Sequence, residues 1–226
     1  MNPYCKALNA LPIALAALMG SGAAHAVSCG ANGVATSVVG ASSTADVMHN
    51  GAASDACVIS GTNPSAGLNG DTSGFSGYGA FGTGWDLLVK HDVSGANAGG
   101  SLFSNGVTFT STITGMPGTS GTWTLSSSQN VTLDLVFALH ASNRSGAFLF
   151  EAEAVPGSGG DTWEINWLNN GGNVPNYSNL ALFVRDVQVT PIPEPQAYAL
   201  MLAGLAVVGT IVRRRRRSPP AGWLTA

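Results

Sequence analysis

Charge is what this sequence lacks most: only 9% of its 226 residues are Asp, Glu, Lys or Arg. Lys90 is the only lysine beyond Lys6, and no glycine-rich loop ends in a lysine, which excludes a phosphate-binding P-loop. Five of the nine basic residues crowd into positions 213–217. Between the two ends, Lys90, Arg144 and Arg185 face eleven acids, a net charge of −8. A surface of that sign repels phosphate backbones, so nucleic-acid binding is excluded. H-E-x-x-H, G-x-S-x-G and Cys-x-x-Cys are all missing, which removes the sequence signatures of zinc proteases, nucleophile-elbow hydrolases and thiol zinc sites. No segment of helical period lies between residues 27 and 190. Glycine (30 residues), serine, threonine and asparagine take the place of charge, a composition usual in exported β proteins.

The long apolar runs are confined to the ends. Lys6 precedes an apolar stretch over 7–19, then Gly20, Ser21 and Gly22 break it. Ala24-His25-Ala26 has the small-x-small form that signal peptidase accepts, so residues 1–26 read as a secretory signal peptide. The stretch is too short to cross ~30 Å of hydrocarbon, and Pro12 interrupts it. Removing the leader takes Cys5 with it and leaves Cys29 and Cys57. An even pair in an exported chain most often forms a disulfide. With only His49 and His91 nearby, the two cysteines make a poor zinc site, and no metal or other cofactor is implied.

At the other end, Pro191, Pro193 and Pro195 hold the backbone extended as an exposed neck. Residues 197–212 are almost wholly apolar, about 24 Å long as a helix, and are expected to form a single C-terminal transmembrane helix. Arg213, Arg214, Arg215, Arg216 and Arg217 follow as a stop-transfer cluster that stays cytoplasmic and leaves the preceding domain outside. The triplet Pro193-Glu194-Pro195, the short Leu/Ala/Gly helix and the arginine cluster resemble the PEP-CTERM sorting signal of Gram-negative bacteria. The resemblance implies that an exosortase, a membrane cysteine transpeptidase, recognises the tail (191–226) and cuts near Pro193, Glu194 and Pro195. It also implies a host that makes exopolysaccharide, with an inner-membrane intermediate preceding release to the cell surface or the extracellular space. Residues 218–226 continue past the arginines, where such proteins usually stop.

Residues 27–190 form the remaining domain, long enough to bury roughly 70% of its unfolded surface. Apolar residues alternate along 130–140, with Val131, Leu133, Leu135, Phe137 and Leu139 on one face. Trp163, Ile165 and Trp167 alternate likewise, and further strand-like runs lie at 34–39, 57–60, 85–91, 107–114, 122–125, 147–155 and 180–189. Nine short strands separated by Gly/Pro/Asn/Ser clusters imply an all-β, two-sheet sandwich of jelly-roll-like type. The stretches 121–125, 130–139 and 168–186 resemble the ectodomain that often precedes such a tail.

Several patterns within the domain touch on chemistry. Gly77, Gly79 and Gly82 fit G-x-G-x-x-G, but the strand-like run that follows offers no helix N-terminus to a pyrophosphate. Glu151 and Glu153, spaced i and i+2 on a strand, would share a face at about 7 Å, within the range of paired glycosidase carboxylates. With Phe148, Phe150, Ala152 and Ala154 packing inward, the same pair is merely solvated. Serines and His49, His91 and His140 leave a triad open but mark none. Thr108, Thr110, Thr112 and Thr114 rank along one strand face, a rank that orders water only when several strands align; Thr122 and Thr124 offer a second. Asn69, Asp71 and Asp161 lie in Gly-rich loops of the kind that hold calcium, without matching a known loop pattern. Tyr78, Phe81 and Tyr177, in Gly/Asn-rich loops, are candidates for stacking on sugars. The expectation is a non-enzymatic, exosortase-sorted surface or matrix protein associated with exopolysaccharide. The alternative is a polysaccharide-acting hydrolase using Glu151 and Glu153.

Overall fold

The computed structural model describes residues 26–93, 97–98, 102–104, 106–155, 161–190 and 195–217. Residues 1–25 of the leader, residues 156–160, residues 191–194 with Pro193 and Glu194, and the extension 218–226 lie outside the described residues.

The strands in chain order are β1 (Gly30–Asn32), β2 (Val47–His49), β3 (Ala52–Ala53), β4 (Ala56–Ser60), β5 (Asp86–Asp92), β6 (Asn97–Ala98), β7 (Leu102–Ser104), β8 (Val107–Ile113), β9 (Ser120–Ser127), β10 (Val131–Ala141), β11 (Arg144–Val155), β12 (Asp161–Glu164) and β13 (Asn179–Val189). They form two sheets. The larger runs β1-β4-β11-β10-β13-β5-β6 and the smaller β3-β2-β12-β9-β8-β7. Among the described residues only β1 and β4 pair in parallel; the other neighbours are antiparallel. The all-β sandwich read from the sequence is therefore the fold.

Period-2 alternation explains the space between the sheets. Leu133, Leu135, Phe137, Trp163 and Ile165 are all buried there, each at most 1% exposed. Trp123 of β9 and Phe137 of β10 meet across the sheets with ring centroids 4.7 Å apart. Cys29 and Cys57 form a disulfide, Cα–Cα 4.7 Å, which ties the start of β1 to β4. Closing that loop stabilises by about 3.6 kcal/mol in the chain-entropy model.

Two strand expectations change. The run at 34–39 is not a strand: Gly33 and Gly40 have φ of 66° and 63°, and Thr36–Val38 coils into one 3-10 turn between them. The run through Trp167 ends as a strand at Glu164, although Ile165 and Trp167 stay buried.

The larger sheet also carries a second core that alternation alone does not suggest. Val58, Val136, Ala138, Ala147, Leu149, Ala181 and Phe183 point away from the smaller sheet. Residues 61–85 cross over them as a strap, burying Phe75 and Phe81 and half-burying Tyr78 and Trp85. Phe75 meets Phe183 edge-on at 5.2 Å. Central strands covered on both faces read as nearly continuous apolar runs, which accounts for Leu135 to Leu139 in β10.

After β13 the chain passes the neck and forms α1 (Pro195–Arg217), 23 residues including the arginine cluster. Every described side chain of α1, from Ala199 to Arg213, is exposed. The expected helix is there, but its reading as a transmembrane span is not supported. Among the described residues no helix is long and apolar enough to cross a membrane. The apolar stretch of sixteen residues reaches about 24 Å against a hydrocarbon core of ~30 Å.

Candidate functional site

Strand register fixes where the tail leaves the sandwich. Val131 pairs with both Val155 and Val189, so β10 begins where β11 and β13 end. Thr190 N donates to Asn130 O at 2.9 Å, the last hydrogen bond before the neck. Of the sorting triplet, Pro195 opens α1, while Pro193 and Glu194 lie outside the described residues. Arg213–Arg217 continue the helix, and Arg213 is exposed. At the other terminus Val27 N donates to Thr44 Oγ1 at 3.0 Å, and Thr44 N donates back to Val27 O at 2.8 Å. The first described residues thus lie beside the expected signal-peptide cut.

The two glutamates do not form the arrangement that alternation suggests. Ala152, between them, has φ 53°, and the β10–β11 register slips so that Asp134 faces both Glu151 and Ala152. This is a β-bulge, one extra residue that reverses the alternation beyond it. Glu153 pairs with Leu133 and so falls on the inter-sheet side, accepting from Asn50 Nδ2 at 3.3 Å. Glu151 follows buried Phe150 and is exposed. The expected inward positions of Ala152 and Ala154 fail for the same reason; both are exposed.

The histidines are mostly interior. His49 is fully buried, stacked on Trp123 at 5.0 Å, with Nδ1 3.2 Å from Asp161 Oδ1. His91 Nε2 lies 3.1 Å from Ser111 Oγ, a serine–histidine pair, but both residues are buried where β5 meets β8 and no substrate reaches them. Tyr177 hydroxyl donates to His91 O at 3.0 Å, and burial pushes that phenol's pKa well up. His140 is half-buried, and burial lowers its pKa.

The calcium candidates are not brought together. Asn69 and Asp71 sit in the strap, where Asp71 Oδ1 accepts from Ser73 N, whereas Asp161 belongs to β12 of the other sheet. No three His, Cys, Asp or Glu side chains gather to hold a metal among the described residues. The three aromatics expected to stack on sugars are occupied. Phe81 and Tyr177 are buried, and Tyr78 donates its hydroxyl to Ala31 O. Gly77 to Gly82 form a short turn leading into β5, with no helix behind them.

The threonine rank extends further than alternation alone suggests. Thr112 pairs with Thr124, and Thr122 pairs with Thr162 of β12. The Thr112–Thr124 and Thr114–Thr122 hydroxyls hydrogen-bond across the strands at 2.7 Å. The hydroxyls therefore satisfy one another, as cross-strand threonines do.

A feature missed at the sequence level is a cleft of about 500 Å³ at the far end of the sandwich from the tail. Arg144 enters it from the first position of β11, just past the two-residue β10–β11 turn. Its walls are the 35–38 turn and the 168–172 loop, stitched together by Leu168 N donating to Val38 O at 2.9 Å. Arg144 Nη2 donates to Asn170 Oδ1 and Nη1 to Asn143 O, both at 2.9 Å. Its Nε is buried and unpartnered, and it makes no ion pair among the described residues. A second cleft of about 440 Å³, on the strap side, is lined by Leu68, Asn69, Trp85, Asp86 and Leu87.

Comparison with known families matches residues 191–217 to the PEP-CTERM protein-sorting motif. No curated protein and no solved structure matches the chain. The motif marks an exported protein that an exosortase processes.

Proposed function

We propose that this chain is a non-catalytic surface or extracellular-matrix protein, delivered by exosortase processing of its tail and associated with exopolysaccharide. The observation that carries the reading is the PEP-CTERM motif placed directly after β13, the last strand of a closed, disulfide-bonded sandwich. The sandwich satisfies its own two cores, so it can stand alone once the tail is removed. In the precursor, α1 inserts in the inner membrane with its arginines at the cytoplasmic face and the sandwich outside. A stretch of about 24 Å falls short of ~30 Å of hydrocarbon, and local bilayer thinning with snorkelling arginines makes up the difference in a transient anchor.

The test is the mass of the protein recovered from the cell surface of a host with exosortase and of one without it. With the enzyme, the recovered protein lacks α1 and the arginines; without it, the full tail is retained in membranes. An intact tail on surface protein from the exosortase-bearing host overturns the sorting role.

A further inference from the structure

The domain holds three cations, and two are already engaged. Lys90 Nζ donates to Ser65 O at 2.8 Å and to Gly67 O, and Arg185 pairs with Asp134. Both fasten the strap to the larger sheet. Neither Lys90 nor Arg144 has an acid partner among the described residues, but Arg144 is the one that lies in a cleft, and that cleft has no acidic lining residue. Nε is buried without an acceptor, and Nη1 and Nη2 each have a single protein partner, so a ligand would meet the guanidinium at its Nη groups.

The surroundings say what kind of ligand fits. The 168–172 loop is rigid: Asn169 Oδ1 accepts from both Gly171 N and Asn173 N, at 2.9 and 3.1 Å. This holds the Asn170 carboxamide against the guanidinium. Ser37 adds a hydroxyl, and Val38 and Leu168 supply an apolar patch. A guanidinium fork binds a carboxylate in its own plane. Carboxamide and hydroxyl groups match sugar hydroxyls, and the apolar patch matches the C–H face of a pyranose ring.

Position agrees. β10 runs from Val131 at the tail exit to Ala141 beside Arg144, about 33 Å at 3.3 Å per residue. Asp134, Glu153 and Asp186 lie nearer the exit, and Asp92, at the cleft's end of the sheet, is on β5, three strands away from Arg144. In a membrane-held precursor the cleft faces outward. We propose that it binds a carboxylate-bearing sugar unit of an anionic polysaccharide, with Arg144 taking the carboxylate and Asn170 orienting it. This rests on the exopolysaccharide reading and names the chemistry of the glycan.

The experiment is calorimetric titration of the full-length chain in detergent, at about 0.15 M salt where long-range repulsion is screened beyond ~8 Å. The probes are oligogalacturonate, dextran sulfate and neutral dextran. Oligogalacturonate is expected to bind, with neutral dextran silent and dextran sulfate weaker. Arg144→Gln should weaken oligogalacturonate binding about 10- to 100-fold, the span of a lost charged hydrogen bond. Asn170→Asp, at an exposed loop position, should do the same by giving Arg144 an internal carboxylate. Unchanged affinity in both variants, or equal binding of neutral dextran, overturns the site. If oligogalacturonate fails to bind but the host's own purified exopolysaccharide retains the protein, the site falls and the matrix reading stands. If neither retains it, both fall.

Discussion

Asp134 accepts from Arg185 Nε through Oδ2 at 2.9 Å while its Oδ1 accepts from Ala152 N at 2.9 Å. One carboxylate thus serves the bulge in β11 and the fastening of the strap. The neighbouring strand β13 bulges too, with Asp186 at φ 52°, so irregularities on both sides flank the same residue. Arg185 carries the contact onward. Its Nη1 donates to Phe81 O at 2.7 Å, and its guanidinium sits 4.2 Å from the Trp85 ring centroid.

Replacing Arg185 by leucine should loosen the strap and leave Asp134 partly buried without its cation. The expected loss is about 2 kcal/mol, the scale of a charged hydrogen bond. Urea unfolding followed by tryptophan fluorescence reads it. Arg185→Lys keeps the charge but loses the planar stacking on Trp85, so it should fall between. A midpoint unchanged in Arg185→Leu would show that the strap is held by its aromatics alone.

Much of this architecture is written locally. Val131, Leu133, Leu135, Phe137 and Leu139 recur at every second position, as do Trp163 and Ile165, and the structure buries them where that spacing places them. The strap is not legible in that way. Residues 61–85 are rich in Gly, Ser and Asn and read as loop, while Phe75, Phe81 and Trp85 follow no period. The available sign was in β10, where Val136 and Ala138 are apolar on the face that alternation assigns to solvent. Glu151 and Glu153 misled for a different reason: an alanine in the left-handed region is rare, so nothing at Ala152 announces the bulge. The Arg144 cleft draws on segments near 36, 144 and 170, and contacts of that separation leave no local trace.

Gly70 should be the least replaceable glycine of the strap. Its φ is 70°, and an added Cβ would lie 2.8 Å from the Phe183 ring and from Pro64 O. Gly70→Ala is expected to cost about 1–2 kcal/mol for the backbone and a further ~1–3 kcal/mol for the overpacking. Gly67, at φ 68° with open space around it, gives the control, and its alanine variant should show only the first contribution. Thermal melts that rank the two variants equally would contradict the packing account.

Acid should weaken the fold through His140. Burial lowers its folded-state pKa below the ordinary 6.5, so the unfolded chain binds the proton more readily. The stability this represents is present above about pH 6.5 and is lost as pH falls through the lower folded value. Asp46 works in the opposite sense further into acid, because burial raises its carboxyl and ionisation then costs stability as pH rises. Stability measured from pH 7 downward should decline in the wild type and be flatter over the histidine range in His140→Gln.

The tail variants separate recognition from retention. Replacing Pro193, Glu194 and Pro195 together by alanine should leave an uncleaved membrane form, seen as full mass in the membrane fraction. Deleting Arg213–Arg217 should let the tail pass through and put uncut protein in the medium. Normal surface protein from either variant would remove that element from the sorting signal.

The strands at the margins of both sheets are β1, β6, β3 and β7, and none exceeds three residues among the described ones. Proteins usually guard a sheet margin with lysine or other charge, which this chain scarcely has. At β1 and β3, whose flanking residues are described, brevity takes over that duty: a two- or three-residue margin offers too few free amides and carbonyls to template a neighbour. Crowded side by side after export, such molecules find little at these two margins through which to polymerise edge to edge into fibres.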